Sequence, residues 1–284
     1  MANLRRKVAQ SIDGLFFVDD TCIDCDTCRE LAPMVFGDAP GSSAVLHQPV
    51  TSDDILAASR ALVACPVGSI GTTEKIDLAS AFATLPLEIE PNVYYNGFAS
   101  PDSFGASSYF IRHPDGNWLV DSPKYQQHLV KRFDEWGGIA YVFLSHQDDV
   151  ADADRYASHF GAKRIIHRAE LRAQPEAELV LDGEEPVAFG NDFLVIPTPG
   201  HTRGHCVLLY NGILFSGDHL WWSRRRGSLN AGRSVCWYSW SEQRRSMQKL
   251  LRYDIRAVLP GHGERVIMGP EEINVQLQQL IDRM

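Results

Sequence analysis

Four apolar segments in the second half of the chain end in the same way, with a histidine or an aspartate beside a small residue. They are "YVFLSH", ending at His146, "IPTPGH", ending at His201, "LFSGD", ending at Asp218, and "VLPGH", ending at His262. Short apolar runs bounded by turn residues are typical of buried strands, and their alternation with helical patterns indicates an α/β fold. Loops at the edge of a rigid sheet commonly carry catalytic or metal-binding groups.

Each of these side chains taken alone has a plainer interpretation, because histidine fills many structural roles after a strand. Four such side chains at strand ends favour a functional interpretation, since grouped histidine and aspartate side chains mark metal sites. The sequence therefore predicts a metal site built from these four loops.

The cysteines are distributed unevenly, and four of the six lie in the first 65 residues. Cys22, Cys25 and Cys28 follow the spacing C-x2-C-x2-C, and Cys65 precedes a proline. This spacing lets three thiolates converge from one loop onto an iron–sulfur core, with the fourth arriving from a distance. The alternatives are unconnected thiols or a zinc site, although zinc sites usually pair C-x2-C units. The distribution indicates a metal cluster in preference to disulfides.

Residues 15–78 resemble the single-cluster bacterial [4Fe–4S] ferredoxins through "CIDCDTCRELAPMVF" and "ACPVGSI". Two-cluster relatives continue the first run with C-x3-C-P, whereas Ala32 and Pro33 stand at that place here. The resemblance therefore implies one cluster. We predict a small α+β ferredoxin-like domain over residues 1–78.

Residues 85–270 resemble the metallo-β-lactamase-fold superfamily through "LVDSP", "PTPGHTRGH", "FSGD" and "LPGHG". The resemblance implies an αββα sandwich over residues 79–284 with the metal at one edge. It also implies that Asp121, in the first of these motifs, supports a ligand.

The chain departs from the family at the first metal motif, H-x-H-x-D-H, where it has "HQDDVA". Asp148 takes the place of the second histidine, Val150 that of the aspartate and Ala151 that of the last histidine. Valine and alanine bind no metal, so a second ion would keep only Asp218 and His262. We predict one ion on His146, His201 and Asp218.

Asp148 lies near this ion as a further candidate ligand, and His262 is a candidate ligand that would also orient the substrate or donate a proton. Two imidazoles and one carboxylate form the facial set of non-haem Fe(II) enzymes, with open positions for O₂ or substrate. Within the superfamily the chain is similar to persulfide dioxygenases and glyoxalase II-type members. The resemblance to persulfide dioxygenases and to flavodiiron proteins also leans towards iron. Zinc with an activated water is the alternative.

Three functions remain open. The leading hypothesis is a redox metalloenzyme in which the cluster exchanges electrons with the mononuclear iron, acting on O₂ or a sulfur-containing small molecule. The second is a mononuclear zinc hydrolase of a thioester or ester with a structural or sensing cluster. The third is a non-enzymatic electron-transfer or sensing protein. The formal net charge of -9 argues against nucleic-acid binding. Without a signal peptide or a membrane-length apolar run, we expect a cytoplasmic protein; its oligomeric state is open.

Other residues have weaker assignments. Asp149 and Asp152 are candidates either to replace the lost ligands or to cap the next helix. Capping is favoured for Asp152, and the role of Asp149 stays open. His205 and His219 adjoin ligands and are expected to hydrogen-bond to them, and Cys206 is expected to be a buried thiol. The stretch "WWSRRRGSLNAGR", residues 221–233, is either a pocket wall with anion-binding arginines or a solvated loop.

Overall fold

The computed structural model describes residues 2–284, which divide into two compact units. The first unit comprises residues 2–112 and Pro123–Gly137, and the second comprises His113–Ser122 and Gly138–Met284. The boundary predicted after residue 78 separates the two regions that resemble known families, and it stays a prediction. No helix among residues 2–284 is both long and apolar enough to cross a lipid bilayer.

The first unit contains short strands and four helices. Its strands are β1 (Phe16–Val18), β2 (Phe36–Ala39), β3 (Ser42–Val45), β4 (Ile70–Thr72), β5 (Leu87–Glu90), β6 (Val93–Tyr95) and β7 (Tyr109–Ile111). Its helices are α1 (Thr27–Leu31), α2 (Ser52–Ala64), α3 (Ala79–Ala83) and α4 (Gln127–Glu135). Strands β1 and β4 pair antiparallel, as do β2 and β3, and β5, β6 and β7 pair in that order.

Helix α2 matters most for the cysteines because it carries Cys65 at its C-terminal end. Thr51 accepts a hydrogen bond from the Asp54 backbone N–H, and the Asp54 carboxylate accepts one from the Thr51 backbone N–H. This reciprocal capping satisfies two donors that the first turn of a helix would otherwise leave open. The predicted capped helix that ends before Pro66 is therefore confirmed.

The second unit contains strands of two large sheets, a two-stranded hairpin and three α-helices. Its strands are β8 (Trp118–Val120), β9 (Tyr141–Phe143), β10 (Lys163–His167), β11 (Leu179–Leu181), β12 (Val187–Phe189), β13 (Phe193–Pro197), β14 (Cys206–Tyr210), β15 (Ile213–Gly217), β16 (Trp221–Ser223), β17 (Ser228–Asn230), β18 (Ala257–Pro260) and β19 (Val266–Ile267). Its helices are α5 (Ala153–Phe160), α6 (Trp240–Leu250) and α7 (Pro270–Arg283).

Strands β8 to β11 of this unit run parallel and adjacent. The other sheet has the order β12-β13-β14-β15-β18-β19, in which β15 and β18 are parallel. The sheets pack face to face, as shown by the stacked rings of Trp118 and Phe193, whose centroids lie 4.2 Å apart. Helices α6 and α7 bury Met247, Leu250 and Leu277 with the core of the second sheet. This packing fixes the strand ends that carry the four predicted side chains.

Candidate metal centres

The structure brings His146, His201 and Asp218 together at the ends of β9, β13 and β15. Asp218 Oδ2 lies 3.8 Å from His146 Nε2 and 3.7 Å from His201 Nε2. Asp148 Oδ2 lies 3.8 Å and 4.0 Å from the same two nitrogens. Four donor atoms from three loops therefore surround one small volume, as expected for ligands of a single ion.

The two imidazoles meet the requirements for a buried cation. His146 is fully buried, and the Nε2 atoms of His146 and His201 have no hydrogen-bond partner among residues 2–284. Buried polar atoms are normally hydrogen-bonded. Two imidazole nitrogens that face carboxylates and make no hydrogen bond are suited to bind a cation. Burial lowers the pKa of His146 to about 3, which keeps the ring in the neutral form that binds metals. The residues fit an ion at this place.

Asp121 orients His146 through an intervening serine. The Ser145 backbone N–H and hydroxyl donate to the two carboxylate oxygens of Asp121 at 2.8 Å and 3.0 Å, and Ser145 Oγ lies 2.9 Å from His146 Nδ1. A fixed Nδ1 leaves Nε2 as the nitrogen that faces the site. The support implied by the family resemblance is therefore present, although it reaches the imidazole indirectly.

A buried carboxylate that sequence reasoning missed joins two of the ligand loops. Glu170 accepts hydrogen bonds from the backbone N–H groups of Gln147 and Gly204. It thereby links the loop after His146 to the loop after His201. No motif marks this residue, because its role depends on where two distant loops meet.

His205 and His219 lie behind the ligands in the interior. Thr198 Oγ1 lies 3.0 Å from His205 Nδ1, and the Asp218 backbone N–H donates to His205 Nε2 at 3.3 Å. His205 therefore positions the backbone of Asp218, as its predicted hydrogen-bonding role requires. His219 is buried, but its ring nitrogens have no hydrogen-bond partner in the described part of the chain. The prediction for His219 is not met by these contacts.

A second group of donors overlaps the first and contains Asp149, whose role the sequence leaves open between replacement ligand and helix cap. Ligand atoms of Asp149, Asp218 and His262 all lie within 4.8 Å of one another. His262 Nδ1 is 2.8 Å from Asp218 Oδ1, and neither carboxylate oxygen of the buried Asp149 has a hydrogen-bond partner among residues 2–284. The expectation of only two donors for a second ion therefore needs correction, because Asp149 adds a third.

Two features explain why Asp149 reaches this position. The segment Gln147–Asp149 forms a single 3-10 turn, and this turn aims residue 149 inwards although the motif places its aspartate at residue 150. A Cβ atom at Gly261 would lie 2.6 Å from Asp149 Oδ2 and 2.9 Å from Asp218 Oδ1, so only glycine permits this approach. Burial, together with the Asp218 carboxylate, raises the pKa of Asp149 well above its usual value. A bound cation would offset that repulsion.

We expect Asp149→Asn to weaken the binding of a second divalent ion by at least about tenfold, because one of three donors loses its charge. Titration of metal-free protein with Mn²⁺, followed by EPR of the free ion, measures the number and affinity of sites. Asp152→Asn is the matched control, since Asp152 pairs with Arg155 at 3.3 Å. Identical titration curves for wild type and Asp149→Asn would rule out Asp149 as a ligand.

The remaining predictions for this region have mixed outcomes. Asp152 is the N-cap residue of α5, but its side chain makes no capping hydrogen bond. Cys206 is a buried thiol, as predicted. Residues 221–233 form the hairpin β16–β17, in which Trp221 packs over Gly263 and the Arg224 guanidinium pairs with Glu264 at 3.6 Å. This hairpin therefore lies against the loop of His262.

The chain also places an aromatic residue beside His201 that sequence reasoning missed. Trp237 is 65% exposed, and its ring centroid lies 6.3 Å from that of His201. The backbone N–H of Trp237 donates to the carbonyl of His201 at 2.8 Å. Such an exposed indole offers a substrate an apolar surface at the edge of the site.

In the first unit, the four predicted cluster cysteines line one small pocket. Cys22, Cys25 and Cys28 come from the loop before α1 and its first turn, and Cys65 from the end of α2. Burial raises the pKa of Cys25, and it raises that of Cys28 to about 12. These thiols would stay protonated without a metal, so a cluster that binds thiolates supplies the needed positive charge. The four cysteines therefore fit a [4Fe–4S] cluster.

Two known protein families match parts of this chain. The sequence profile described as the metallo-beta-lactamase superfamily matches residues 102–262, more than half of the chain. The chain belongs to the metallo-beta-lactamase superfamily. A second profile, the 4Fe-4S single cluster domain of ferredoxin I, matches residues 18–72. This superfamily member therefore carries a single-cluster iron–sulfur domain at its N-terminal end, and the predicted family and fold class are confirmed.

Solved structures show the same fold. A metallo-beta-lactamase family protein from Thermus thermophilus superposes with a TM-score of 0.51 at 17% identity, covering 69% of this chain and 80% of that chain. A metallo-beta-lactamase from Pontibacter korlensis superposes with a TM-score of 0.52 at 16% identity, covering 69% of this chain and 98% of that chain. At such identities the likeness concerns the αββα fold alone.

Curated relatives of this superfamily member include hydroxyacylglutathione hydrolases. The protein from Salmonella arizonae is 27% identical over 115 residues, which are 39% of this chain and 46% of that protein. The protein from Stenotrophomonas maltophilia is 35% identical over 121 residues, 42% and 45% of the two chains. The chain thus spans less than half the length of these relatives. Together, the family matches support a metal-binding domain joined to an iron–sulfur cluster domain.

Proposed function

We propose that this protein is a redox metalloenzyme in which the iron–sulfur domain, residues 1–78, exchanges electrons with one iron held by His146, His201 and Asp218. The observation that carries the proposal is the donor set. Asp148 places a carboxylate where the family motif has an imidazole, beside the two histidines and Asp218. A ligand set of two imidazoles and carboxylate oxygens is typical of Fe(II), whereas zinc sites more often have a nitrogen-rich set.

The bound iron would supply an open position for O₂ or a sulfur-containing substrate and a change of oxidation state. The side chains around it do the rest. The hydrogen bond between His262 Nδ1 and the Asp218 carboxylate fixes the imidazole ring of His262 beside that metal ligand. In this position His262 can orient a substrate or hold a proton of the substrate. Asp148 is about half exposed, so its carboxylate can exchange a proton between the site and water.

The presence of an iron–sulfur domain in the same chain supports the redox assignment. A hydrolytic zinc ion keeps one oxidation state and has no use for an electron carrier. A single-electron carrier is useful only when the second metal or its substrate accepts or gives electrons. We infer that the cluster supplies them one at a time.

Metal replacement tests this proposal. Protein with an intact cluster is loaded at the histidine site with either Fe(II) or Zn(II), the cluster is reduced anaerobically, and reoxidation by O₂ is followed by its absorbance. We expect the iron-loaded protein to reoxidise faster than both the zinc-loaded protein and protein with an empty histidine site. Equal rates for all three forms would refute electron exchange.

The hydroxyacylglutathione hydrolases among the relatives favour a second candidate, a zinc hydrolase of a thioester. In that case the ion would activate water, and the cluster would be structural or would sense redox state. Thioester cleavage by the zinc-loaded protein, at the same rate with the cluster oxidised or reduced, would support this candidate. The non-enzymatic hypothesis requires a metal-free sandwich in protein that holds its full cluster.

A further inference from the structure

Polar groups lie against the sulfur atoms of the cluster cysteines. Thr27 Oγ1 is 3.4 Å from Cys25 Sγ, and Ser69 Oγ is 3.4 Å from Cys65 Sγ. The backbone N–H of Ser43 donates to Cys22 Sγ at 3.3 Å. Hydrogen-bond distances to sulfur extend beyond those to oxygen, so all three contacts are within range.

The two hydroxyls are placed by the local backbone. Thr27 is the first residue of α1, directly after the loop that carries Cys25. The Gly68 N–H donates to the Cys65 carbonyl, and this tight turn returns the chain so that Ser69 lies beside the cysteine. Thr27 is only 2% exposed and Ser69 only 1%. Bulk water therefore has little access to the two hydroxyls.

Cluster binding decides the direction of these hydrogen bonds. A cysteine that ligates iron is a thiolate, which has no proton to give and can only accept. Ser69 must then donate to Cys65. Thr27 has one competing acceptor, the Gly105 carbonyl at 3.4 Å, and the negative charge on sulfur makes Cys25 the stronger of the two.

We propose that Thr27 and Ser69 set the reduction potential of the cluster by donating hydrogen bonds to the sulfur atoms of Cys25 and Cys65. Reduction adds one electron, and part of the added negative charge resides on the ligand sulfurs. Donors aimed at those atoms stabilise the reduced form and raise the potential. The proposal rests on the cluster of the proposed function and is independent of the metal in the sandwich.

The test is an EPR-monitored redox titration of the full chain with Thr27→Val and Ser69→Ala. Thr27→Val keeps the shape of the side chain and removes the donor. We expect each variant to lower the equilibrium constant for cluster reduction severalfold, and the pair together by about tenfold or more, which is about 59 mV for a one-electron couple. Thr27→Ser and Ser69→Thr restore the hydroxyl and are expected to restore the potential.

Thr73→Val is the matched control, because Thr73 donates to the backbone carbonyl of Gly14 and does not line the cysteine pocket. Potentials of Thr27→Val and Ser69→Ala that equal those of Thr73→Val and wild type would overturn the proposal. So would a lowered potential that Thr27→Ser and Ser69→Thr fail to restore, since that result would indicate loosened packing. A wild-type chain without iron, acid-labile sulfide or an EPR signal would instead refute the cluster itself.

Discussion

His146→Ala is expected to remove the mononuclear metal and to reduce turnover by at least about 10³-fold. His146 is fully buried, and its Nε2 has no other partner in the described residues. Alanine leaves His201 and Asp218 as an incomplete set around a buried cavity. A metal centre contributes several kcal/mol of transition-state stabilisation, and each 1.36 kcal/mol is about a tenfold change in rate.

His167→Ala is the control for this prediction. His167 also ends a strand of the second unit, but its Nε2 lies 3.1 Å from the Gly183 carbonyl and its Nδ1 accepts from the Ala169 N–H. The control should keep the mononuclear metal, and both variants should keep the absorbance of the cluster. Full metal content in His146→Ala would show that the ion is held elsewhere.

Cys22→Ala is expected to abolish the cluster, and with it all turnover that depends on an external electron donor, while the mononuclear metal stays in place. Cys22 lines the cysteine pocket and receives a hydrogen bond from the Ser43 N–H, so its loss removes one of four ligands. Absorbance of the cluster, metal content and donor-dependent activity are measured on the same sample. Cys206→Ala provides the control, since Cys206 does not line the pocket and its thiol donates to the Gly204 carbonyl.

This variant also separates the two candidate functions. In the redox account the activity of Cys22→Ala falls to background although the metal remains. In the hydrolase account thioester cleavage persists, because activation of water needs no electron. Loss of the mononuclear metal together with the cluster would instead indicate that the variant has lost its fold, and circular dichroism of the pair Cys22→Ala and Cys206→Ala checks this.

Much of the fold and part of the site could be predicted from the sequence because local signals and strand-end positions determine them. Helix α2 begins at the predicted cap, and the loops of His146, His201, Asp218 and His262 meet as expected. The same reasoning placed Cys65 at the end of α2. In each case a short-range pattern fixes the element, and the sheet brings the ends together.

The rest depended on contacts that no local pattern encodes. Asp149 reaches the site because a single 3-10 turn directs it inwards and because Gly261 has no side chain to block it. The family motif has no ligand at this position. Glu170 acts only because two remote loops donate to it. Asp152 has the sequence of a capping residue, but its side chain pairs with Arg155 and makes no capping hydrogen bond.

The central claim is tested most directly by the metal content of the wild-type chain, purified anaerobically and analysed for iron, zinc and acid-labile sulfide, with Mössbauer spectra of ⁵⁷Fe-enriched protein. The account predicts one iron per chain beyond those of the cluster, seen as a high-spin Fe(II) component that disappears in His146→Ala. One zinc per chain, with no iron outside the cluster, would contradict it.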